Sequence, residues 1–413
     1  MSVETIVIVG GGISGITTAV EAAEVGYNTI LVEKKPYLGG RVAQLNKYFP
    51  KLCPPYCGLE MNFRRIRLNP RITVYTMTEV DEVSGNEGNF SIRLKVNPGY
   101  VNEKCTSCNA CAEACPAERS NEFNFGMDKT KAIYLPHELS YPMRYVMERS
   151  SCTDLSCNKC VKACTFNAID LTMKPEMVEI KAGSIVYATG WNPYDAARID
   201  NLGFGKIKNV ITNMMMERLA SPNGPSGGKI LRPSDGREAK KVVFVQCAGS
   251  RDENHLNYCS AICCMASLKQ ATYVRDRIAD SEILIAYIDL RTPGKYEEFL
   301  GKVQSDKHVR LLKGKVAMIE EDAASGNVLV TFEDVEGGGK SRQVADLVVL
   351  ATGMVSSVQE HPMLSFEQNG FIQAGKRAGI YSTGVAKRPS DVTSSIQDAT
   401  GTALKSIQSL VRS

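Results

Sequence analysis

Residues 6–33 read IVIVGGGISGITTAVEAAEVGYNTILVE. An apolar run at 6–9 ends in Gly10, Gly12 and Gly15, with Ser14 among them. A helical period follows, with Ile16, Val20 and Ala23 on one face. A second apolar run, 29–32, ends at Glu33. Strand, glycine turn, helix, strand and acid in this order predict a βαβ unit with a dinucleotide fingerprint. The glycines let the backbone turn tightly and approach a pyrophosphate. That group sits at the helix N-terminus, where N–H groups and the helix dipole favour an anion. Glu33 is placed to accept from a ribose hydroxyl.

Downstream, the same order of elements recurs. After the first unit come apolar runs at 72–75, 79–83 and 90–96, the last two joined by a turn at 84–88, which predict a hairpin. The run 178–187 then leads into Ala188, Thr189 and Gly190. In the second half, an apolar strand at 242–245 leads to Ala248-Gly249-Ser250, a helical stretch covers 265–278, and a strand at 283–288 ends at Asp289. A second hairpin follows, with its turn at 325–327, and the run 345–353 closes on Ala351-Thr352-Gly353. The chain is a duplicated unit of βαβ, hairpin and Ala-Thr-Gly strand. The second copy lacks GxGxxG. In its place stands a longer loop with Cys247, Cys259, Cys263 and Cys264.

The 413 residues predict two or three domains, and 43% hydrophobic content fills ordinary cores. A net charge of +4 without a basic run argues against nucleic acid as a partner. The longest apolar runs reach about half a membrane span, so no direct membrane span and no signal peptide are expected. Fourteen cysteines in tight runs, in a long chain, point to metal or redox chemistry rather than disulfides.

Cys105, Cys108, Cys111 and Cys115, followed by Pro116, make the C-x2-C-x2-C-x3-C-P run of bacterial ferredoxins. Cys152, Cys157, Cys160 and Cys164 form a second run, with Cys152 two residues before the position expected for its first member. Two-cluster ferredoxins exchange their fourth ligands. On that logic Cys105, Cys108, Cys111 and Cys164 hold one [4Fe–4S] cluster, and Cys115, Cys152, Cys157 and Cys160 the other. Adjacent Cys263 and Cys264 can serve one metal if a helix begins there and Cys263 sits at its cap, because neighbouring side chains on a regular helix diverge. Cys53 and Cys57 fit neither a redox pair nor a common zinc knuckle. They are read either as plain thiols in a loop or as redox or ligand groups. No histidine is in a paired motif, and His255, inside the cysteine loop, is read as an ordinary loop residue.

Glu33 followed by Gly39-Gly40-Arg41 resembles the flavoprotein disulfide reductase superfamily. The cysteine loop with its flanks, residues 245–252 and 258–270, is similar to that of the A-type subunits of heterodisulfide reductases, and this resemblance covers nearly the whole chain. It implies an α/β fold: a duplicated three-layer Rossmann-like flavoprotein of FAD/NAD(P)-binding, disulfide-reductase type, with an inserted α+β two-cluster ferredoxin domain. The domains expected are an FAD-binding part at 1–100, the iron–sulfur insert at 101–172 and a second FAD part at 173–215. A degenerate pyridine-nucleotide-like domain with a cysteine cluster follows at 216–344, and a closing FAD part at 345–413. FAD contacts are expected at Gly10, Gly12, Ser14, Gly15, Glu33, Lys34, Gly40, Arg41, Val80, Ala188, Thr189, Gly190, Gly353, Gly384 and Ser395. Lys387 is the candidate catalytic residue, placing positive charge near the flavin. A third cluster is expected at Cys247, Cys259, Cys263 and Cys264, beside the flavin, and no NAD(P)H site.

At this length the chain resembles the A-type flavin subunits of the quinone-interacting membrane-bound oxidoreductases of sulfate reducers. That branch implies electron transfer between menaquinol and adenylylsulfate reductase. It also implies two partners, a second flavin/iron–sulfur subunit with a membrane haem/quinone subunit, which would give the chain a peripheral cytoplasmic position. The alternatives are the flavin subunit of a methanogen or sulfur-oxidising heterodisulfide reductase-like complex, electron-bifurcating in one variant, an NAD(P)H-dependent disulfide reductase, and a zinc-binding scaffold.

Overall fold

A computed structural model describes residues 4–154, 156–335, 337–358 and 361–412. The chain divides into two units. One comprises 1–191, 356–388 and 392–413, and the other 192–355 and 389–391. These edges differ from the expected ones. The first unit is left at 191 rather than 215 and regained at 356 rather than 345.

In the first unit, β1 (Thr5–Val9), α1 (Ile13–Glu24) and β2 (Asn28–Val32) form the expected βαβ element. Ile16, Val20 and Ala23 are buried against Ile6, Ile8 and Leu31. Helix α2 (Tyr56–Leu68) leads to β3 (Ile72–Tyr75). This strand does not open a hairpin, as its sequence suggested, but pairs in parallel with β2. Met77, at φ +55°, turns the chain just afterwards. β4 (Thr78–Asn86) and β5 (Asn89–Val96) then make the antiparallel hairpin. β6 (Glu176–Ala182) pairs with β5, while β7 (Ser184–Tyr187) returns to the parallel sheet beside β1. The strand Ile380–Ser382 adds to β7, and the helix Val392–Arg412 packs along α1, where Thr18 Oγ1 donates to the Ala399 carbonyl. The parallel order is Ile380–Ser382, β7, β1, β2, β3.

Between β5 and β6 lies the cysteine-rich insert. Its neck closes where Asn102 N–H donates to the Ala168 carbonyl (2.8 Å) and Asp170 N–H to that of Tyr100 (3.0 Å). Two short helices, Ala110–Glu113 and Lys159–Ala163, pack on a core of Val101, Ile133, Tyr145, Met147 and Ile169.

The second unit repeats the plan. β8 (Val210–Thr212), β9 (Lys241–Ala248), β10 (Glu282–Tyr287) and β11 (Val309–Glu321) precede β12 (Val328–Asp334), β13 (Lys340–Ala345) and β14 (Leu347–Thr352). Helices α3 (Asn213–Ala220) and α4 (Cys263–Arg277) pack against the sheet. Its order, β8-β14-β9-β10-β11-β12-β13, matches that of the first unit position for position through β11, although the edge strand β8 comes first in the chain whereas Ile380–Ser382 comes last. A second feature also differs. β11 does the work of both β3 and β4, pairing in parallel with β10 through 309–313 and antiparallel with β12 beyond. β14 is buried at every residue, as a central parallel strand covered on both faces should be.

Candidate flavin and iron–sulfur sites

At the mouth of the first parallel sheet, Gly10 takes φ +112°, and an added Cβ would strike the Ala188 carbonyl. A Cβ at Gly15 would run into the carbonyl of Gly10, so α1 seats directly on the turn. At Gly12 the nearest atom to an added Cβ is the Gly40 Cα, 4.0 Å away. Gly12 is also the N-cap of α1 and brings no side-chain cap, so the helix presents bare backbone to this space. Glu33 is fixed with both oxygens engaged. Gly11 N–H donates to Oε2 (2.6 Å) and Lys35 N–H to Oε1 (2.7 Å). Burial pushes its carboxyl up despite these bonds.

Around this turn the structure gathers most of the expected contacts. Arg41 is buried. Its Nε donates to the Trp191 carbonyl (3.2 Å) and a terminal nitrogen to Gln44 Oε1 (3.0 Å), and the guanidinium lies over the Phe125 and Trp191 rings. Gly384, at φ +60°, leaves no room for a Cβ against Ser14 Oγ and has Ser395 as its next neighbour, so those three meet. The Thr189 hydroxyl is buried without a partner, and the Gly190 carbonyl (φ +71° at this residue) accepts from Ser357 N–H (3.2 Å). Val80 lies on β4, packed beneath the hairpin. Lys34 is solvent-facing and pairs with Glu79 (2.7 Å). The less exposed lysine is its neighbour. Burial, with Arg41 nearby, pulls the Lys35 ammonium down to about 8.

The structure gives two of the expected residues a different setting. Gly353 belongs to the second unit. It follows β14 in the second unit, where an added Cβ would collide with Ser250 Oγ and Ser260 Oγ of the cysteine loop. Lys387 is not a bare positive charge. Its Nζ pairs with Asp398 at 2.7 Å. The same carboxylate accepts from Gly384 N–H (2.9 Å) and Thr383 Oγ1 (3.1 Å). Burial opposes ionisation of Asp398, but these donors hold it below the usual carboxylate range. Asp398 is one functional candidate that the sequence reading missed, and Lys35 is another.

In the insert, one cavity is lined by Cys105, Cys108, Cys111 and Cys164, together with Tyr145 and Phe166. This is the crossed ligand set read from the spacing. Burial, and then the Cys105 thiol, push Cys111 up to about 12, so a lone thiolate there would be costly without a metal. Ala168 N–H points at Cys164 Sγ (3.4 Å), a contact suited to a metal-bound sulfur. For the other set, Cys160 is pushed up first by burial, and both Cys115 and Cys152 add to the shift, which places those three together. Cys157 is three residues before Cys160, just ahead of the helix Lys159–Ala163.

The third set forms the turn between β9 and α4. Cys247 takes φ +57°, and α4 begins at Cys263 with Ile262 as its cap. The helix thus begins where the sequence suggested, but Ile262 rather than Cys263 takes the cap, and Cys263 and Cys264 are its first two residues. Cys263, which burial pushes up, also feels Cys247, Cys264 and Cys259, so the four thiols are neighbours. Ala261 N–H reaches Cys259 Sγ (3.3 Å), and the Cys264 thiol reaches the Asp289 carbonyl (3.5 Å). Tyr258 OH to the Met354 carbonyl (2.8 Å) and Met354 N–H to Ser260 Oγ (2.9 Å) fasten the loop to the sheet. His255 serves the loop structurally, its Nδ1 2.8 Å from Tyr194 OH. Cys53 and Cys57 flank the start of α2 near the Tyr48 phenol. Among the described residues no three His, Cys, Asp or Glu side chains converge tightly enough for a single metal ion. A four-iron cluster instead holds its cysteines apart, one at each corner.

Residues 5–51 match the family model described as FAD dependent oxidoreductase. Over 98% of its length the chain is 38% identical to the second A-type iron-sulfur subunit of CoB–CoM heterodisulfide reductase from Methanopyrus kandleri, covering 64% of that protein. Over 96% it is 38% identical to the corresponding A-type protein of Methanocaldococcus jannaschii, covering 63%. The chain thus spans just under two thirds of the length of the curated relatives it matches. Among solved structures, Lactococcus lactis thioredoxin reductase aligns over 99% of this chain and 100% of its own, with a TM-score of 0.56 and 12% identity. The T. acidophilum thioredoxin reductase aligns over 99% and 98%, at 0.52 and 14%. These two establish the flavoprotein reductase fold alone.

Proposed function

We propose that this chain, an FAD-dependent oxidoreductase homologous to the A-type subunits of heterodisulfide reductases, is the flavin and iron–sulfur electron-transfer subunit of a heterodisulfide reductase-type complex. The observation that carries the reading is the cavity ringed by Cys105, Cys108, Cys111 and Cys164, the crossed set that a two-cluster ferredoxin uses for one cluster. FAD, held by the Gly10–Gly15 turn, Glu33, Arg41 and the Gly384–Ser14–Ser395 corner, supplies two-electron chemistry, and the clusters carry single electrons. The chain's own residues position these groups. Gly12 leaves the α1 N-terminus open, so that it would take the diphosphate, Glu33 would take the ribose, and Asp398 balances the Lys387 charge beside the returning strand. Cys115, Cys152, Cys157 and Cys160 would hold the second cluster, and Cys247, Cys259, Cys263 and Cys264 the third.

The relatives' names favour a heterodisulfide-type complex over the menaquinol-to-adenylylsulfate-reductase branch, which has only the sequence resemblance behind it. Partner subunits of the same complex would supply the substrate site. No described helix is long and apolar enough to cross a membrane, so any membrane attachment of those residues would run through partners. Anaerobic purification with iron, zinc and FAD analysis tests the reading. Three clusters require about 12 iron atoms and one FAD per chain, and Cys164→Ser should remove about four. Zinc in place of iron would refute it.

A further inference from the structure

We infer that Asp398 is a positioning residue that holds the Lys387 ammonium at the FAD site, where that charge raises the reduction potential of the flavin. The inference rests on the functional reading above, which puts FAD at the corner of Gly384, Ser14 and Ser395.

The turn that carries Lys387 is fixed from three sides. Thr383 is fully buried, and its N–H donates to the Tyr187 carbonyl at the end of β7 (3.0 Å). Gly384 follows at φ +60°, so close to the start of α1 that an added Cβ would meet Ser14 Oγ. Lys387 N–H then donates to the Gly384 carbonyl (3.1 Å) and closes the turn. The helix Val392–Arg412 supplies the third side. Ser395 and Asp398 stand three residues apart on it, hence on one face. Ser395 Cβ would be 3.7 Å from a Cβ at Gly384. Asp398 gathers three donors of the turn. Its Oδ2 accepts from Gly384 N–H (2.9 Å) and Thr383 Oγ1 (3.1 Å), and its Oδ1 from Lys387 Nζ (2.7 Å).

This turn opens on the same end of the parallel sheet as the uncapped N-terminus of α1 and the Thr189 hydroxyl, which is buried without a partner. A lysine ammonium on its flexible stem would otherwise extend into water. Here it is held. The two side chains are 27% and 26% exposed, and both carboxylate oxygens are engaged. Gly384 N–H and Thr383 Oγ1 share the carboxylate's charge, so the ammonium is anchored without being simply cancelled. Burial alone would push the Asp398 carboxyl up, but its donors keep it below the usual range, so it stays an anion at neutral pH. Reducing a flavin adds negative charge, and a fixed cation nearby favours that state.

The test is an anaerobic, dye-equilibrated redox titration of the FAD-loaded full chain, read at the flavin absorbance band with the flavin-free chain as blank. Lys387→Met should lower the reduced-to-oxidised ratio of the flavin at fixed potential about tenfold, a shift of about 30 mV for a two-electron couple. Lys387→Arg, which keeps the charge, should change the ratio by less than threefold. In the Asp398→Asn chain, where nothing holds the ammonium, Lys387→Met should also change it by less than threefold. An equal effect of Lys387→Met with and without the carboxylate would overturn the role given to Asp398. If Asp398→Asn does not hold FAD, Asp398→Ser takes its place in this cycle. Loss of FAD in both would overturn the positioning role, because the carboxylate would then serve binding itself. An unmoved potential in FAD-loaded Lys387→Met would overturn the inference and leave the functional reading standing. A wild-type chain that binds no FAD would overturn both.

Discussion

The two copies of the βαβ unit share strand order and differ at one turn. In the first, β1 ends in glycines, α1 presents bare backbone, and the acid Glu33 is locked by Gly11 and Lys35. In the second, β9 ends in Cys247 and a cysteine loop, α4 opens on Cys263 and Cys264, and the acid Asp289 turns to Arg251. The sheets fix where a site can be, at the carboxyl ends of parallel strands. The turn between strand and helix fixes what is bound there. Duplication supplied one scaffold twice, and two chemistries were placed on the same corner of it.

The largest expected effect comes from breaking the first turn. Gly15→Val drives a side chain into the Gly10 carbonyl. Flavin per chain should fall to near zero while the iron of Cys247–Cys264 is retained; parallel loss of both would show that the copies do not hold their cofactors independently. Next is the interior of the second copy. Glu217 is buried and paired with Lys269 at 3.0 Å, and it accepts from Gln270 Nε2 (2.7 Å) and Tyr273 OH (3.1 Å). Glu217→Ala strands a buried ammonium and should cost about 3–5 kcal/mol in denaturant unfolding. A cost below about 1 kcal/mol would mean water reaches the pair.

Much of this plan is legible in the sequence, because glycine turns, cysteine spacing and apolar runs are local signals. What was not legible depends on distant partners. The order of elements put the Ala351-Thr352-Gly353 strand in the second copy, and the contacts of Gly353 with Ser250 and Ser260 in that copy were the part that no local signal carried. β3 left its hairpin because Met77 turns the chain at a positive φ, which no propensity announces. The carboxylate that pairs with Lys387, Asp398, lies eleven residues on in the closing helix, where no local signal joins the two. Of two adjacent lysines, only the fold shows that Lys35 is the less exposed one.

A smaller effect should follow at Glu33. Glu33→Gln removes a charged acceptor at the ribose position and should weaken FAD binding about tenfold or more, within the range of hydrogen bonds to charged groups. Flavin release during equilibrium dialysis measures it. An unchanged affinity would reduce Glu33 to a brace for Gly11. The smallest effect concerns pH. The Lys35 ammonium titrates near 8 when folded and near its ordinary 10.5 when unfolded. The unfolded chain therefore binds more protons between these values, and stability of the flavin-free protein should rise from about pH 8 to about pH 10. Lys35→Met should flatten that rise; a rise that persists would assign it to other groups.

The most direct test of the central claim, that the second copy gave up its nucleotide site, is anaerobic titration of the flavin-loaded chain with NADH and with NADPH, followed at the flavin absorbance band. The account predicts no bleaching by either nucleotide, although dithionite reduces the flavin fully. Stoichiometric bleaching by one of them would contradict it and restore a pyridine-nucleotide site to the cysteine-bearing copy.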